Sequence, residues 1–111
     1  MHEMSIAQSI CETVRANLPA GARPTRVTVI CGALSGVVPE ALDACFPFAA
    51  EAAGFAGLEI ELELPEASAA CPACGHAFLA DNMWADCPRC GHAPVTFEGG
   101  RELRVKEFDI E

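Results

Sequence analysis

Two stretches of the chain have the apolar spacing of amphipathic helices. In the first, apolar residues recur at helical intervals from Ile6 to Leu18, and Ser5 opens a Ser-x-x-Gln capping box. A helix is therefore predicted to begin at about Ser5, with the preceding residues forming a short arm. A second helix is predicted from about Pro39, a residue suited to the first helical turn, to Gly54.

Three further stretches, residues 26–34, 58–64 and 101–110, have the alternation of strands, and residues 58–64 alternate strictly between aliphatic residues and glutamates. Such alternation indicates a sheet with one packed face and one wet face. The fold class is therefore predicted as α+β, with two helices packed on a small three-stranded sheet. A zinc-knuckle module with four cysteines is inserted between the second and third strands, and residues 65–70 are expected to be the linker into it.

The inserted module is recognised by two copies of Cys-x-x-Cys-Gly-His, separated by twelve residues between their cysteine pairs. Two such pairs predict a four-thiolate metal site, and a closed site of this kind is typical of structural zinc. An iron site, disulfides and redox thiols are the alternatives that the pattern leaves open. The predicted zinc ligands are Cys71, Cys74, Cys87 and Cys90.

His76 and His92 follow the second cysteine of each pair by two residues. They are interpreted as residues around the metal site rather than ligands. The alternative is that one of them exchanges with a thiolate or makes the site sensitive to pH, because imidazole titrates near neutrality.

Composition narrows the possible functions. The chain has 111 residues and a net charge of −9, with sixteen acidic against seven basic residues, so it lacks the basic face that a nucleic-acid-binding zinc module needs. No apolar run is long enough to span a membrane. Three cysteines outside the motif, Cys11, Cys31 and Cys45, predict a reducing, cytoplasmic location. No nucleophile–base set, phosphate loop or open zinc site is found, so the protein is not expected to be an enzyme.

The N-terminus offers a second candidate metal site. A free amine on Met1, the amide nitrogen of His2 and its imidazole would close fused five- and six-membered chelate rings, and such nitrogen sets favour Ni(II) or Cu(II) over zinc. A histidine at this position is also often without a function, and Glu3 is equally explained as a favourable charge near a helix N-terminus. Chelate chemistry alone does not decide between these interpretations.

The combination of motifs along the chain is more specific. Residues 1–5 (Met-His-Glu-Met-Ser), 32–36 (Gly-Ala-Leu-Ser-Gly), 39–42 (Pro-Glu-Ala-Leu), the paired cysteine motifs and residues 100–105 (Gly-Arg-Glu-Leu-Arg-Val) occur in this order. Together they resemble the HypA/HybF family, whose members are nickel-delivery accessory proteins for maturation of [NiFe] hydrogenase. The resemblance covers essentially the whole chain, and the opening His-Glu and the cysteine pairs are its most specific parts.

The resemblance implies nickel binding at His2, with backbone nitrogens including the Met1 amine and with Glu3 as probable contributors; Glu40 matches an acidic position considered as a further contact. It implies structural zinc on the four cysteines of the motif. Residues 1–66 and 98–111 would then form a nickel-binding α/β domain, and residues 67–97 a zinc-binding domain. The implied partners are a HypB-type GTPase and the [NiFe] hydrogenase large-subunit precursor, and some relatives also serve urease.

Two hypotheses follow from the sequence. The first is a nickel metallochaperone that binds Ni(II) reversibly at its N-terminus and delivers it to the hydrogenase precursor. The second is a zinc-stabilised protein-interaction module that transports no metal, in which His2 has no function. They differ in whether the unmodified N-terminus binds nickel.

Overall fold

The computed structural model describes the backbone of residues 2–111 and the side chains of residues 3–111. The chain divides into two compact units, one formed by the residues up to Ile30 together with Val37–Glu63 and Arg104–Glu111, and the other by Cys31–Gly36 and Leu64–Leu103. The helices and strands are α1 (His2–Asn17), β1 (Pro24–Cys31), α2 (Pro39–Ala52), β2 (Glu59–Glu63), β3 (Ala67–Ala70), β4 (Ala77–Ala80), β5 (Thr96–Glu98) and β6 (Leu103–Ile110).

The first unit, called here the α/β unit, contains both helices and a sheet with the strand order β2-β1-β6. Strands β1 and β2 are parallel, and Val27 and Val29 are opposite Ile60 and Leu62, so these four side chains share one face of the sheet. That face packs in one apolar cluster with α1 and α2. The fully or nearly buried members of the cluster are Ala7, Ile10, Cys11, Val14, Val27, Val29, Leu42, Phe46, Ala49, Ala50 and Leu58.

The first helix begins earlier than its sequence predicts. It starts at His2 rather than at about Ser5, so residues 2–4 are helical and do not form an arm. Two features explain the longer helix: Glu3 places a negative charge in the first turn, where the helix dipole favours it, and Met4 extends the apolar side that packs against the core cluster.

Pro47 lies inside α2, which runs as one helix through it. The sequence predicts a kink or a restart at this proline, but the assigned helix does not restart. Pro47 has no amide hydrogen, so the helical bond that would reach the carbonyl of Asp43 is missing. Both residues are exposed, so they lie on the outer side of the helix.

The second unit, called here the cysteine unit, contains a sheet with the order β4-β3-β5, in which β3 is antiparallel to both neighbours. Residues 65–70 were expected to be a linker, but residues 67–70 form the central strand β3. The predicted α+β class with two helices and a cysteine module is confirmed, with this second small sheet in addition. Within the unit, a Cβ on Gly32 would overlap the carbonyl of Gly100, so the close approach of these two backbone segments requires glycine.

None of the helices in the described part of the chain is both long and apolar enough to cross a membrane.

Candidate metal sites

The four predicted zinc ligands come together in the cysteine unit. The Sγ atoms of Cys71, Cys74, Cys87 and Cys90 all lie within 4.8 Å of one another. Each first cysteine of a pair lies against the second cysteine of the other pair, with Sγ–Sγ distances of 3.6 Å between Cys71 and Cys90 and 3.7 Å between Cys74 and Cys87. The cluster is therefore built by both pairs together.

The two pairs reach this arrangement through the same backbone turn. The amide of Cys71 donates to the carbonyl of His76 at 2.9 Å, and the amide of Gly75 donates to the carbonyl of Cys71 at 2.8 Å. Cys87, His92 and Gly91 repeat both bonds at 3.0 and 2.8 Å. Each turn needs a positive φ at its glycine, +80° and +78° respectively, which explains why glycine follows both pairs.

Local hydrogen bonds and neighbouring sulfurs give the thiols of the cluster different pKa values. Burial of Cys71 opposes its ionisation, but the amides of Cys74 and Ala73 and the thiol of Cys90 outweigh this and lower the pKa of Cys71 to about 6. The amide of His92 favours the Cys90 thiolate, but the neighbouring sulfurs, Cys71 first, and desolvation raise the pKa of Cys90 to about 12. The protein groups alone therefore do not favour four thiolates, whereas a divalent cation would stabilise all of them.

The geometry fits a tetrahedral four-thiolate ion. Sulfurs at a Zn–S distance of about 2.3 Å in a tetrahedron lie about 3.8 Å apart, close to the two Sγ–Sγ distances of the cluster. Cys71 and Cys87 are buried, and Cys74 and Cys90 are exposed. The cluster thus suits a structural metal site. Beside it, the ring of His76 stacks on Phe78 at a centroid distance of 5.8 Å.

The predicted nickel residues lie at the start of α1. Met1 and the side chain of His2 are outside the described residues, and the backbone of His2 begins the helix. Glu3 is half-buried, and its Oε2 accepts a hydrogen bond from the backbone amide of Val38 at 3.2 Å. One carboxylate oxygen of Glu3 therefore joins the N-terminus of α1 to the residue that precedes α2.

The sequence does not reveal the hydrogen bond from the Val38 amide to Glu3. The two residues are 35 positions apart, and a bond between a side chain and a distant backbone amide leaves no sequence motif. Glu40 is exposed in the first turn of α2, two residues after Val38. Burial raises the pKa of the Cys45 thiol, and the nearby Glu3 carboxylate raises it further. The start of α1 is thus held near the first turns of α2.

Comparison with known proteins identifies relatives along the full chain. Residues 1–110 match a family model described as hydrogenase/urease nickel incorporation, metallochaperone, HypA. The chain is 42% identical to the hydrogenase maturation factor HypA of Chlorobaculum tepidum and 40% identical to that of Geobacter sp. (strain M21), and both alignments cover 100% of each chain.

Two solved structures share the fold. The solution structure of the Ni metallochaperone HypA from Helicobacter pylori aligns with a TM-score of 0.56 and 21% identity, covering 97% of this chain and 96% of that one. A second solution structure of a HypA protein aligns with a TM-score of 0.52 and 24% identity, covering 100% and 97%. The family match and the full-length identity to curated relatives establish that the chain belongs to the HypA family of nickel-incorporation metallochaperones, a class of proteins that are not catalytic enzymes.

Proposed function

We propose that this protein is a nickel metallochaperone that binds Ni(II) at its N-terminus and delivers it for insertion into the [NiFe] hydrogenase large-subunit precursor. The observation that carries the proposal is membership of a nickel-incorporation family over the full chain. The ligands we propose are the imidazole and amide nitrogens of His2 and the amine of Met1. Glu3 is a further contributor, and Glu40 is the weakest candidate of the set.

The position of His2 at the start of α1 supports this ligand set. The first amides of a helix have no acceptor within the helix, so their nitrogens can bind a metal without breaking helical hydrogen bonds. A metal-bound amide nitrogen loses its proton and becomes an anionic donor, which the positive end of the helix dipole stabilises. An open set of few nitrogen ligands also allows release of the ion, as delivery requires.

The finer assignments of the cysteine unit and the partners belong to the same proposal. We propose Zn(II) as the structural ion of the four-cysteine cluster, with residues 67–97 as the zinc-binding domain and residues 1–66 and 98–111 as the nickel-binding domain. Family membership implies partners related to hydrogenase maturation. A HypB-type GTPase and the large-subunit precursor are the partners we propose, in the cytoplasm.

The proposal is tested by titrating the zinc-loaded protein, with an untagged N-terminus, with Ni(II). Binding is followed by equilibrium dialysis and by the d–d absorption of the complex. Three variants are compared with wild type: His2→Ala, Glu40→Gln, and a chain whose N-terminal amine is acetylated. Acetylation keeps His2 but removes the amine as a nitrogen donor.

We expect one nickel ion for each wild-type chain, loss of binding in His2→Ala, weaker binding after acetylation, at most a small loss in Glu40→Gln, and unchanged zinc content in all variants. Equal nickel binding by wild type and His2→Ala would remove the N-terminus as the site. Absence of nickel binding in both would favour the alternative hypothesis, a zinc-stabilised interaction module that transports no metal.

A further inference from the structure

One side of the sheet in the α/β unit ends in an open strand. β2 lies at the edge of the strand order β2-β1-β6 and pairs with β1 in a parallel register from Arg26↔Glu59 to Ile30↔Glu63. Because β1 occupies only one side of β2, the backbone amides and carbonyls on its other side point out of the sheet. An edge of this kind is a template for one more strand.

The open edge is bordered by a groove rather than by a flat surface. A cavity of about 720 Å³ lies along β2 and α2, with Phe46, Pro47, Leu58 and Ile60 among its apolar walls and Asp43 at its rim. A second cavity, of about 250 Å³, continues from Asp43 to Pro39 and Leu62. The groove thus offers apolar contact and hydrogen-bond acceptors beside an edge that can pair.

The groove and the strand carry mainly acidic residues. Asp43, Glu51, Glu59 and Glu61 line the larger cavity, with Arg26 as its basic residue. Within the described part of the chain, Glu61 pairs with Arg26 at 3.2 Å, whereas the other three acids form no ion pair. Glu63 of β2 likewise pairs with Lys106 at 3.1 Å. A segment that binds here therefore meets the uncompensated negative charge of Asp43, Glu51 and Glu59.

The alternation of β2 specifies the pattern of a complementary segment. Glu59, Glu61 and Glu63 point to one face of the sheet, and Ile60 and Leu62 point to the other, where they pack against the core cluster. A strand added beside β2 would place its own alternate side chains on the same two faces. Basic residues would then lie on the glutamate face, where Glu59 has no ion pair among the described residues, and apolar residues would lie in the groove beside Ile60.

We propose that the β2 edge and its groove bind an extended segment of a partner protein, in which basic and apolar residues alternate, as a fourth strand of this sheet. This interaction surface goes beyond metal binding and does not depend on it. A second copy of the chain is a poor occupant, because antiparallel pairing of two β2 strands would bring their glutamates together, and like charges on adjacent strands are destabilising.

The length of β2 limits the strength of this interaction. The strand has five residues, so the paired segment is short and the buried area lies at the small end of specific interfaces. Much of the attraction is between exposed charges, which salt screens. We therefore expect transient, salt-sensitive binding, as suits a partner that must be released.

The test uses a short synthetic peptide in which arginine alternates with valine as the probe. Its affinity for the full-length, zinc-loaded protein is measured by chemical-shift titration of the isotope-labelled chain. A block peptide of the same composition controls for charge alone. Two further peptides carry N-methyl groups, one on the arginine amides and one on the valine amides, because a strand bonds its neighbour through only one of these two sets.

The matched protein variants are Glu59→Lys and Glu12→Lys. Both residues are exposed, neither forms an ion pair within the described residues, and both substitutions change the net charge equally. Glu12 lies on α1, away from the residues that line the groove. Thermal unfolding of both variants establishes that they are folded before affinities are compared.

We expect the alternating peptide to shift the amides of residues 43–63 and to bind more tightly than the block peptide. One N-methylated peptide should lose binding, Glu59→Lys should weaken it about threefold to tenfold, and Glu12→Lys should leave it unchanged. Equal affinity of all the peptides would overturn strand pairing, and absence of binding would overturn the site. A protein dimer joined through β2 would also overturn the proposal, by showing that a second copy is the occupant.

Discussion

The two units of the protein bury very different side chains. The core of the α/β unit includes several large aliphatic residues and one phenylalanine, and Phe46, Leu42 and Val14 are at most 1% exposed. The apolar cluster of the cysteine unit is much smaller, and two of its five buried residues are the metal-site cysteines Cys71 and Cys87. Alanines at the other buried positions of its sheet add little apolar area.

This difference indicates two sources of stability in one short chain. Burial of apolar area stabilises the α/β unit, at about 25 cal/mol for each Å² removed from water. The cysteine unit buries too few large residues to be stabilised by apolar burial alone. A bound ion is the remaining source of a comparable stabilising free energy. Changes at the cysteines and changes in the helical core should therefore affect different units.

The largest effect is expected from removing one cysteine of the cluster. Cys71→Ser should abolish stable metal binding and with it a contribution of about 10–16 kcal/mol, the apparent binding energy of structural zinc sites. Amide signals of residues 64–103 should lose their dispersion while those of α1 and α2 remain. Zinc content and two-dimensional amide spectra measure both outcomes.

Cys45→Ser is the matched control, because Cys45 is a half-buried cysteine of α2 outside the cluster. It should keep the full zinc content and the dispersed signals of the cysteine unit. A cysteine unit that stays folded in Cys71→Ser, or after chelation of zinc from the wild-type protein, would contradict the division of stability argued above.

A cavity in the core of the α/β unit should destabilise that unit rather than the cysteine unit. Leu42 is fully buried between α2 and the rest of the core cluster, so Leu42→Ala should lower the free energy of unfolding of the α/β unit by about 2–5 kcal/mol. Zinc content should be unchanged. Chemical denaturation followed by helical circular dichroism, with zinc measured in parallel, tests this prediction.

Leu79→Ala provides the comparison, because Leu79 lies in β4 of the cysteine unit and is 64% exposed. Its effect on unfolding should stay within about 0.5 kcal/mol. Equal effects of the two substitutions, or loss of zinc from Leu42→Ala, would mean that the core of the α/β unit is not separately stabilised.

The elements of the α/β unit could be predicted because long periodic stretches carry a strong local signal. Residues 58–64 alternate so strictly that β2 is found there as Glu59–Glu63, and the predicted second helix begins at Pro39 as observed. The grouping of the four cysteines could also be predicted, because the spacing of the two Cys-x-x-Cys pairs is a local sequence motif. These signals do not depend on distant parts of the chain.

The errors occurred where distant contacts decide the structure. Residues 67–70 consist of alanine and serine and have no strand signal of their own, but pairing with β4 and β5 makes them the central strand of a sheet. The early start of α1 likewise depends on Met4 reaching the core and on Glu3 bonding to Val38. Neither contact is visible as a local motif.

The smallest expected change in stability comes from removing the hydrogen bond between the Val38 amide and Glu3. Glu3→Ala removes the carboxylate that accepts the Val38 amide and a favourable charge in the first turn of α1, so it should lower the stability of the α/β unit by about 1 kcal/mol. Glu3→Gln keeps a carbonyl acceptor and should recover part of the loss. Glu12→Ala, an exposed change later in the same helix, should cost less than either. Equal unfolding free energies for Glu3→Ala and Glu12→Ala would show that apolar packing alone holds the start of α1, and that the bond from Val38 contributes nothing to the position of the proposed nickel site.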